Sequence, residues 1–404
     1  MRLFTTISTL YAAQAAASNN DPLSVQMARS IVSRHEGIYT SSGDSSGPLQ
    51  AGFVQKTFSR LTAQYPNHTV TPTLTSYITQ SSDSLLGIFG NTTSALKYSM
   101  DRLSSGNAFI ELYSSTGHEP YKSAVEVLKT SVDSNQRNSA GGLWYYVYPN
   151  WSYLDGMFSF GPFWALYTAL YAPGEVQAWE ELERQFRLLA EHCEYRSGNG
   201  TEGGLLVHGY DDSKTAVWAN NSLGQSPHVW GRSLGWYVIG LMDTVEILDQ
   251  HCGQQNCTGA QGVRAHLLQD FKRKMEAIAR AVDAATGAWW QVLDQPGREG
   301  NYIESSGSSM FVYALLKGVR KGYLTSNTTS YVDIGRRAYG YLEKTFVVDN
   351  DNGTLGWNGT VSVCSLNSTA SYDYYVGRPL LYNSVLGSGA FVLASLEVER
   401  LGAY

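Results

Sequence analysis

Residues 229–250 read VWGRSLGWYVIGLMDTVEILDQ. Leu234, Val238, Leu241, Val245 and Leu248 recur at alternating steps of four and three. That spacing puts them on one face of an α-helix. Phe311, Leu315 and Val319, at steps of four, likewise share one helix face within 308–324, and residues 385–400 form a third such helix. Further helices are expected over 22–35, 49–64, 93–104, 107–116, 119–133, 153–171, 175–193, 262–285 and 329–347. Loops rich in Gly, Ser, Asn and Asp separate them, as at 197–204 (SGNGTEGG) and 349–359 (DNDNGTLGWNG). About twelve helices with no long linker predict an all-α chain forming one domain over 18–404. Alternating helix pairs can close into a double ring, an (α/α)6 barrel, with a cleft built by the loops at one end. The open alternative is a helical solenoid, though no fixed-period repeat marks one.

Composition narrows the function. Hydrophobic residues make up 43% of the 404, enough for a large core, while charged residues are only 16%. The 27 tyrosines and 10 tryptophans suit sugar binding, in which rings stack on pyranose faces and hydroxyls take hydrogen bonds. A net charge of −6 with no basic patch argues against a nucleic-acid partner. Residues 1–17, with Arg2, a short apolar run and Ala13, Ala15 and Ala17, read as a secretory signal peptide. No stretch approaches the length of a membrane span. Ten N-x-S/T sequons, at Asn67, Asn91, Asn150, Asn199, Asn220, Asn256, Asn327, Asn352, Asn358 and Asn367, point to a glycosylated extracellular protein. Of four cysteines, Cys252 and Cys257 can close a small loop, leaving Cys193 and Cys364 as a candidate long-range pair. No C-x-x-C or paired His spacing suggests a metal, and no glycine loop suggests a phosphate-bearing cofactor.

Four segments could carry chemistry. In GLWYYVYPNWSYLDGMFSFGPF (142–163) the single acid, Asp155, stands among Trp151, Tyr153, Phe158 and Phe160. Apolar surroundings favour a protonated carboxyl able to act as an acid. Asp155 is expected in the first turn of a helix beginning near Tyr153, where the helix dipole favours the ionised form instead. A structural aspartate beside core aromatics fits the segment equally well. In GLLVHGYDDS (204–213), His208 follows a strand-like run and could hold a carboxylate or hydroxyl, or be a satisfied core histidine. In HVWGRSLGWYVIG (228–240), Arg232 and Trp236 share a helix face beside Trp230, which makes an anion pocket with stacking walls. The plainer reading is an arginine capping carbonyls while the indoles pack. Asp101 in KYSMDRLSSGNAF (97–109) reads as a helix-end cap or part of a surface pattern with Arg102. No serine elbow or Cys/His nucleophile context is present.

Together, YLDGMFSFGPF (153–163), GLLVHGYDDS (204–213), HVWGRSLGWY (228–237), ESSGSSMFVYALLKGVRKGYL (304–324) and YDYYVGRPLLYNSVLGSGAFVLAS (372–395) resemble glycoside hydrolase family 105. That family comprises the unsaturated rhamnogalacturonyl hydrolases, and it is related to the family 88 unsaturated glucuronyl hydrolases. The resemblance covers about three quarters of the chain, from Asp101 onward. It implies an (α/α)6 barrel acting, without metal or cofactor, on an acidic oligosaccharide that a lyase has left with a 4,5-unsaturated uronic acid. An acid protonates C4, water adds at C5, and the hemiketal opens and expels the aglycone. It further implies Asp155 as catalytic acid and base and Asp101 as the second active-site aspartate. His208, Trp230, Arg232 and Trp236 fall on substrate-binding positions. Tyr153 joins them, and Arg378 lies near a contact to the uronate carboxylate. In many bacterial members a Trp-His-Lys run precedes the catalytic aspartate. Here Trp144, Tyr145 and Tyr146 stand in its place, which removes positive charge and leaves the leaving sugar open.

Two other functions fit the residues. A conventional inverting glycosidase would pair Asp155 with Asp101 or Asp212 across the scissile bond. A non-catalytic carbohydrate-binding protein would need only the aromatics.

Overall fold

The computed structural model describes residues 21–40, 45–196, 203–219, 222–253 and 257–402. The expected signal segment and the sequons at Asn199, Asn220 and Asn256 lie outside the described residues. The first helices are α1 (Leu23–Ser33), α2 (Gly47–Gln64), α3 (Thr71–Asp83) and the single turn α4 (Thr92–Ala95). A 3-10 turn (Met100–Ser105) then runs into α5 (Gly106–Thr116), followed by α6 (Glu119–Asp133), α7 (Gly156–Tyr171) and α8 (Val176–His192). The chain continues through α9 (Gly231–His251), α10 (Ala260–Arg280), α11 (Ser305–Arg320), α12 (Thr328–Phe346), the short α13 (Tyr372–Val376) and α14 (Val385–Leu401).

The helices form two concentric layers. The inner ring runs α2, the 3-10 turn with α5, α7, α9, α11 and α14, and α14 packs back on α2. That closing contact decides for the (α/α)6 barrel over an open solenoid. Outside it, α1 lies on α14, α3 on α2, α6 on α5, α8 on α7, α10 on α9 and α12 on α11. The outer helices are amphipathic. Of the inner ones, α7, α9, α11 and α14 are buried over most of their length: every residue of α9 from Gly231 to Leu248 is buried. The single apolar face read from the sequence understates this, because α9 is enclosed by α7, α11, α10 and the barrel interior. Each fully buried Leu or Val there contributes about 1.5–3 kcal/mol. Small residues allow the close approach of α7 and α9: a Cβ on Gly240 would lie 2.5 Å from the Met157 carbonyl oxygen.

Three departures from the sequence reading have physical causes. Helix α3 is not expected from TPTLTSYITQSSD (71–83), whose Thr and Ser content is unfavourable to helices. It forms with Pro72 in its first turn and buries Leu74 and Tyr77, so tertiary packing on α2 overrides propensity. The helix expected from Tyr153 starts at Gly156, because Trp151–Tyr153 instead forms strand β1. β1 pairs antiparallel with β2 (Gly209–Asp211), with Tyr153 opposite Gly209. Finally, Cys252 and Cys257 are joined, but Cys193 and Cys364 are free and buried. Cys193 caps α8 in the outer layer, whereas Cys364 follows β5 (Thr360–Val361) in the wall of the cleft.

Two further short pairs, β3 (Val347–Asp349) with β4 (Leu355–Trp357) and β5 with β6 (Leu380–Leu381), lie between α12 and α14. Among the described residues no helix is long and apolar enough to cross a membrane.

Candidate active site

The N-terminal ends of α2, α7 and α9 open into a cavity of about 250 Å³. Asp101, Tyr145, Tyr153, Asp155, Trp230, Arg232 and Trp236 all line it. Local folding explains each placement. Asp155 is the residue immediately before α7, at the turn where β1 gives way to the helix. Trp230 occupies the same position before α9, with Arg232 in its first turn. Asp101 opens the 3-10 turn, where Ser99 Oγ accepts a hydrogen bond from its amide. It therefore begins a helical segment rather than ending one. With Arg102 it is buried rather than part of a surface pattern.

Asp155 is held through one oxygen. Ser233 Oγ donates to Oδ2 at 2.5 Å, and His208 Nε2 lies 3.2 Å from the same atom. The histidine contact lacks hydrogen-bond alignment, so it is electrostatic and becomes a full ion pair only when the ring is protonated. His208 is fully buried behind Asp155, with Nδ1 2.8 Å from the Tyr375 hydroxyl. Of the aromatics expected around Asp155, Tyr153 shares the cavity wall, while Phe158 packs beneath on Trp236 and Phe160 turns to Trp164.

The Asp101 carboxyl is pushed up to about 6. Burial is the largest cause; a hydrogen bond from Tyr145 opposes it, and the nearby charge of Asp155 adds to it. Tyr145 Oη donates to Asp101 Oδ2 at 2.7 Å. Asp101 Oδ1 is buried without a partner. Two carboxyls in one apolar cavity disfavour double ionisation, the arrangement that keeps an acid protonated near neutral pH. Burial pushes the Cys364 thiol up to about 12, so this wall residue offers no thiolate nucleophile.

Arg232 is committed to the protein. Nη1 donates to the Val361 carbonyl at 2.6 Å and to Ser306 Oγ at 3.2 Å, and Nη2 donates to the Ser362 carbonyl at 2.8 Å. Glu304 Oε1 lies 3.7 Å from Nη1 and accepts from the Val361 amide at 3.0 Å. Arg232 and Glu304 thus fasten the β5 segment that carries Cys364 and Ser365 into the wall, and the guanidinium lies 4.8 Å from the Trp230 ring centre. The carbonyl-capping reading describes the arginine's hydrogen bonds, and the pocket reading describes its position. The cavity's other cation, Lys97, is exposed at its edge and makes no ion pair among the described residues. Arg378 is not in the wall; it donates to the Val363 carbonyl at 3.0 Å and sits 5.6 Å from the Tyr374 ring centre. Asp212 is also outside, bound by the Ser139 amide and hydroxyl, which removes it as a partner for Asp155 across a scissile bond.

Four contributors escaped sequence reading: Tyr145, Ser233, Glu304 and Tyr375. Tyr145 was visible as a departure from the family pattern, but its donor role depends on a fold contact with Asp101. Among the described residues no cluster of His, Cys, Asp and Glu could hold a metal.

The family model described as Glycosyl Hydrolase Family 88 matches residues 29–402. A family 105 glycoside hydrolase from C. acetobutylicum is 29% identical, with a TM-score of 0.78, and the match covers 94% of this chain and all of that one. Protein Atu3128 of Agrobacterium fabrum is 34% identical over 203 residues, 48% of this chain and 82% of the relative. The unsaturated glucuronyl hydrolase of Bacillus sp. GL1 shares the fold at 12% identity, with a TM-score of 0.64 over 93% of this chain and 95% of that one.

Proposed function

The chain belongs to glycosyl hydrolase family 88, and on that premise we propose that it removes a 4,5-unsaturated uronic acid from the non-reducing end of lyase-generated oligosaccharides of the pectin or rhamnogalacturonan type. The observation that carries this reading is the unequal carboxyl pair. Asp155 is braced by Ser233 and His208, and Asp101 has one oxygen held by Tyr145 and one buried and unpartnered.

Asp155 delivers a proton to C4 of the vinyl ether. The C4–C5 π electrons form the new C–H bond and leave an oxocarbenium ion at C5 and the ring oxygen. The resulting Asp155 carboxylate takes a proton from water as the water oxygen bonds C5. The hemiketal then opens: the C5–O5 bond breaks, C5 becomes a ketone, and C1 is left as a hemiacetal that releases the aglycone alcohol. Asp101 accepts from a ring hydroxyl through Oδ1, its unpartnered oxygen. Trp230 and Trp236, 1% exposed each, shape the cavity floor rather than offer a free ring face, and Lys97 supplies a positive charge for the uronate carboxylate. Tyr146 and Tyr148 at the cavity edge give the leaving sugar an aromatic rather than a charged surface.

Extracellular action fits two features. Of the described sequons, Asn67, Asn91, Asn327, Asn352, Asn358 and Asn367 are exposed and Asn150 is half-buried. The Cys252–Cys257 bond suits an oxidising compartment. The test is incubation with lyase-treated rhamnogalacturonan and with unsaturated glucuronyl oligosaccharides. Loss of the double-bond ultraviolet absorbance is expected with the wild type and not with Asp155→Asn. No loss on any of these substrates contradicts the reading.

A further inference from the structure

We propose that Tyr145 is a positioning residue for Asp101, fixing which carboxylate oxygen faces the substrate and in what charge state it does so. The inference rests on the reading of this cavity as the site of double-bond hydration. The Tyr145 hydroxyl donates to Asp101 Oδ2 at 2.7 Å, and Oδ1 is the oxygen left buried and unpartnered. The phenol itself is tightly located. Its ring stacks on Tyr153 with centroids 4.3 Å apart and planes 9° from parallel. Its carbonyl accepts from the Met100 amide at 2.8 Å, and its own amide donates to the Trp151 carbonyl at 2.8 Å. One residue therefore ties the segment bearing Asp101 to the strand leading to Asp155. Tyr146 reinforces the tie, with its hydroxyl donating to the Lys97 carbonyl at 2.9 Å.

Ser99 also opposes the burial of Asp101, less than Tyr145 does, and the charged groups nearby do not substitute for this donor. Arg102, the adjacent cation, turns away to Ser131 and Asn135. Arg232 is spent on the β5 segment. Lys97 stands at the exposed edge, and Asp155 opposes ionisation of Asp101. Burial holds the Tyr145 phenol well above its ordinary range, so it remains a donor throughout the working pH range. The pair of tyrosines that replaces His-Lys thus does more than remove charge. Tyr145 supplies a neutral donor that partly offsets the burial of Asp101.

The test follows Asp101 directly, by carboxyl carbon NMR of aspartate-labelled protein, with Asp101→Asn to assign the signal. In Tyr145→Phe the ring stack and both backbone bonds remain, and the Asp101 midpoint should rise by about one to two pH units. A 3-fluorotyrosine at position 145, the same shape but a stronger donor, should move it down, which keeps the test decisive if the Phe variant folds poorly. The limb of the kcat–pH profile that follows Asp101 should shift with the midpoint, while KM changes less than twofold. An unmoved midpoint overturns the proposal, as does a midpoint that moves while the kcat limb stays in place. A midpoint that moves in a protein that consumes no unsaturated uronide leaves the Tyr145–Asp101 coupling standing and removes the functional reading instead.

Discussion

The imidazole Nε2 of His208 lies 3.2 Å from Asp155 Oδ2, with His208 wholly excluded from solvent. A buried ring this close to the proposed proton donor senses its charge. When Asp155 gives up its proton, His208 can align to donate to the new carboxylate, and the Tyr375 contact on Nδ1 keeps the ring from turning away. His208→Ala should therefore lower kcat by about 10²-fold or more, in the range of a positioned acid–base group, with a smaller change in KM. Steady-state kinetics on an unsaturated disaccharide would check this. A change confined to KM would make His208 a substrate contact only.

Lys97 is the cavity cation not already engaged by the protein among the described residues. Lys97→Met should raise KM for the free uronate about fivefold to tenfold, the effect of losing about 1 kcal/mol of partly screened attraction. The methyl ester of the same substrate should be bound equally by both proteins. Comparing KM for acid and ester, at low and high salt, checks the assignment.

Burial raises the folded-state carboxyl of Asp101 to about 6 from 3.8. A raised carboxyl favours folding only while protonated, so its contribution is complete below the unfolded value and is lost as pH rises through about 6. Asp101→Asn, which cannot ionise, should accordingly be more stable than wild type at pH ~8 by on the order of 1–3 kcal/mol. The difference should vanish below pH ~4. Denaturant midpoints across that range provide the measurement, and the same variant should be nearly inactive.

The barrel interior beyond the cleft holds an ionic network. Lys317 on α11 donates to Asp243 Oδ1 at 3.0 Å and to Glu246 Oε2 at 2.8 Å, both on α9. Lys56 on α2 also donates to Asp243, and Arg60 donates to Glu246. Burial alone would push Asp243 up, but Lys317, Lys56 and Arg60 together hold it well below the usual carboxylate range. Lys317→Ala should cost about 3–5 kcal/mol, because two buried acids lose a shared partner. Lys317→Met with Asp243→Leu should recover much of that loss in thermal unfolding.

The inner helices were legible because their apolar spacing is dense: the pattern in 229–250 and 385–400 persists whatever surrounds it. Ring closure was not, since it depends on α14 meeting α2 across more than 300 residues of chain. Helix α3 was missed because its sequence disfavours the helix that its neighbour imposes. At the site, Asp155, Trp230, Arg232 and Trp236 could be singled out from aromatic and glycine context, and the structure does place them in one cavity with Asp101. The partners that give each its state could not be read this way. Ser233, Tyr145 and Glu304 are ordinary residues until the fold brings them to Asp155, Asp101 and Arg232. Arg378 shows the reverse: its bond to the Val363 carbonyl and its place beside the Tyr374 ring could not be read from chain order.

The proposed acceptor of the Asp155 proton is a carbon–carbon double bond, not a glycosidic oxygen. Running the reaction in deuterated, oxygen-18-labelled water and examining the released sugar by NMR and mass spectrometry tests it most directly. One deuterium is expected on a single face of C4 and labelled oxygen at C5, with the double bond gone. Labelled oxygen at C1 on a sugar that keeps its double bond, with no deuterium at C4, would contradict it.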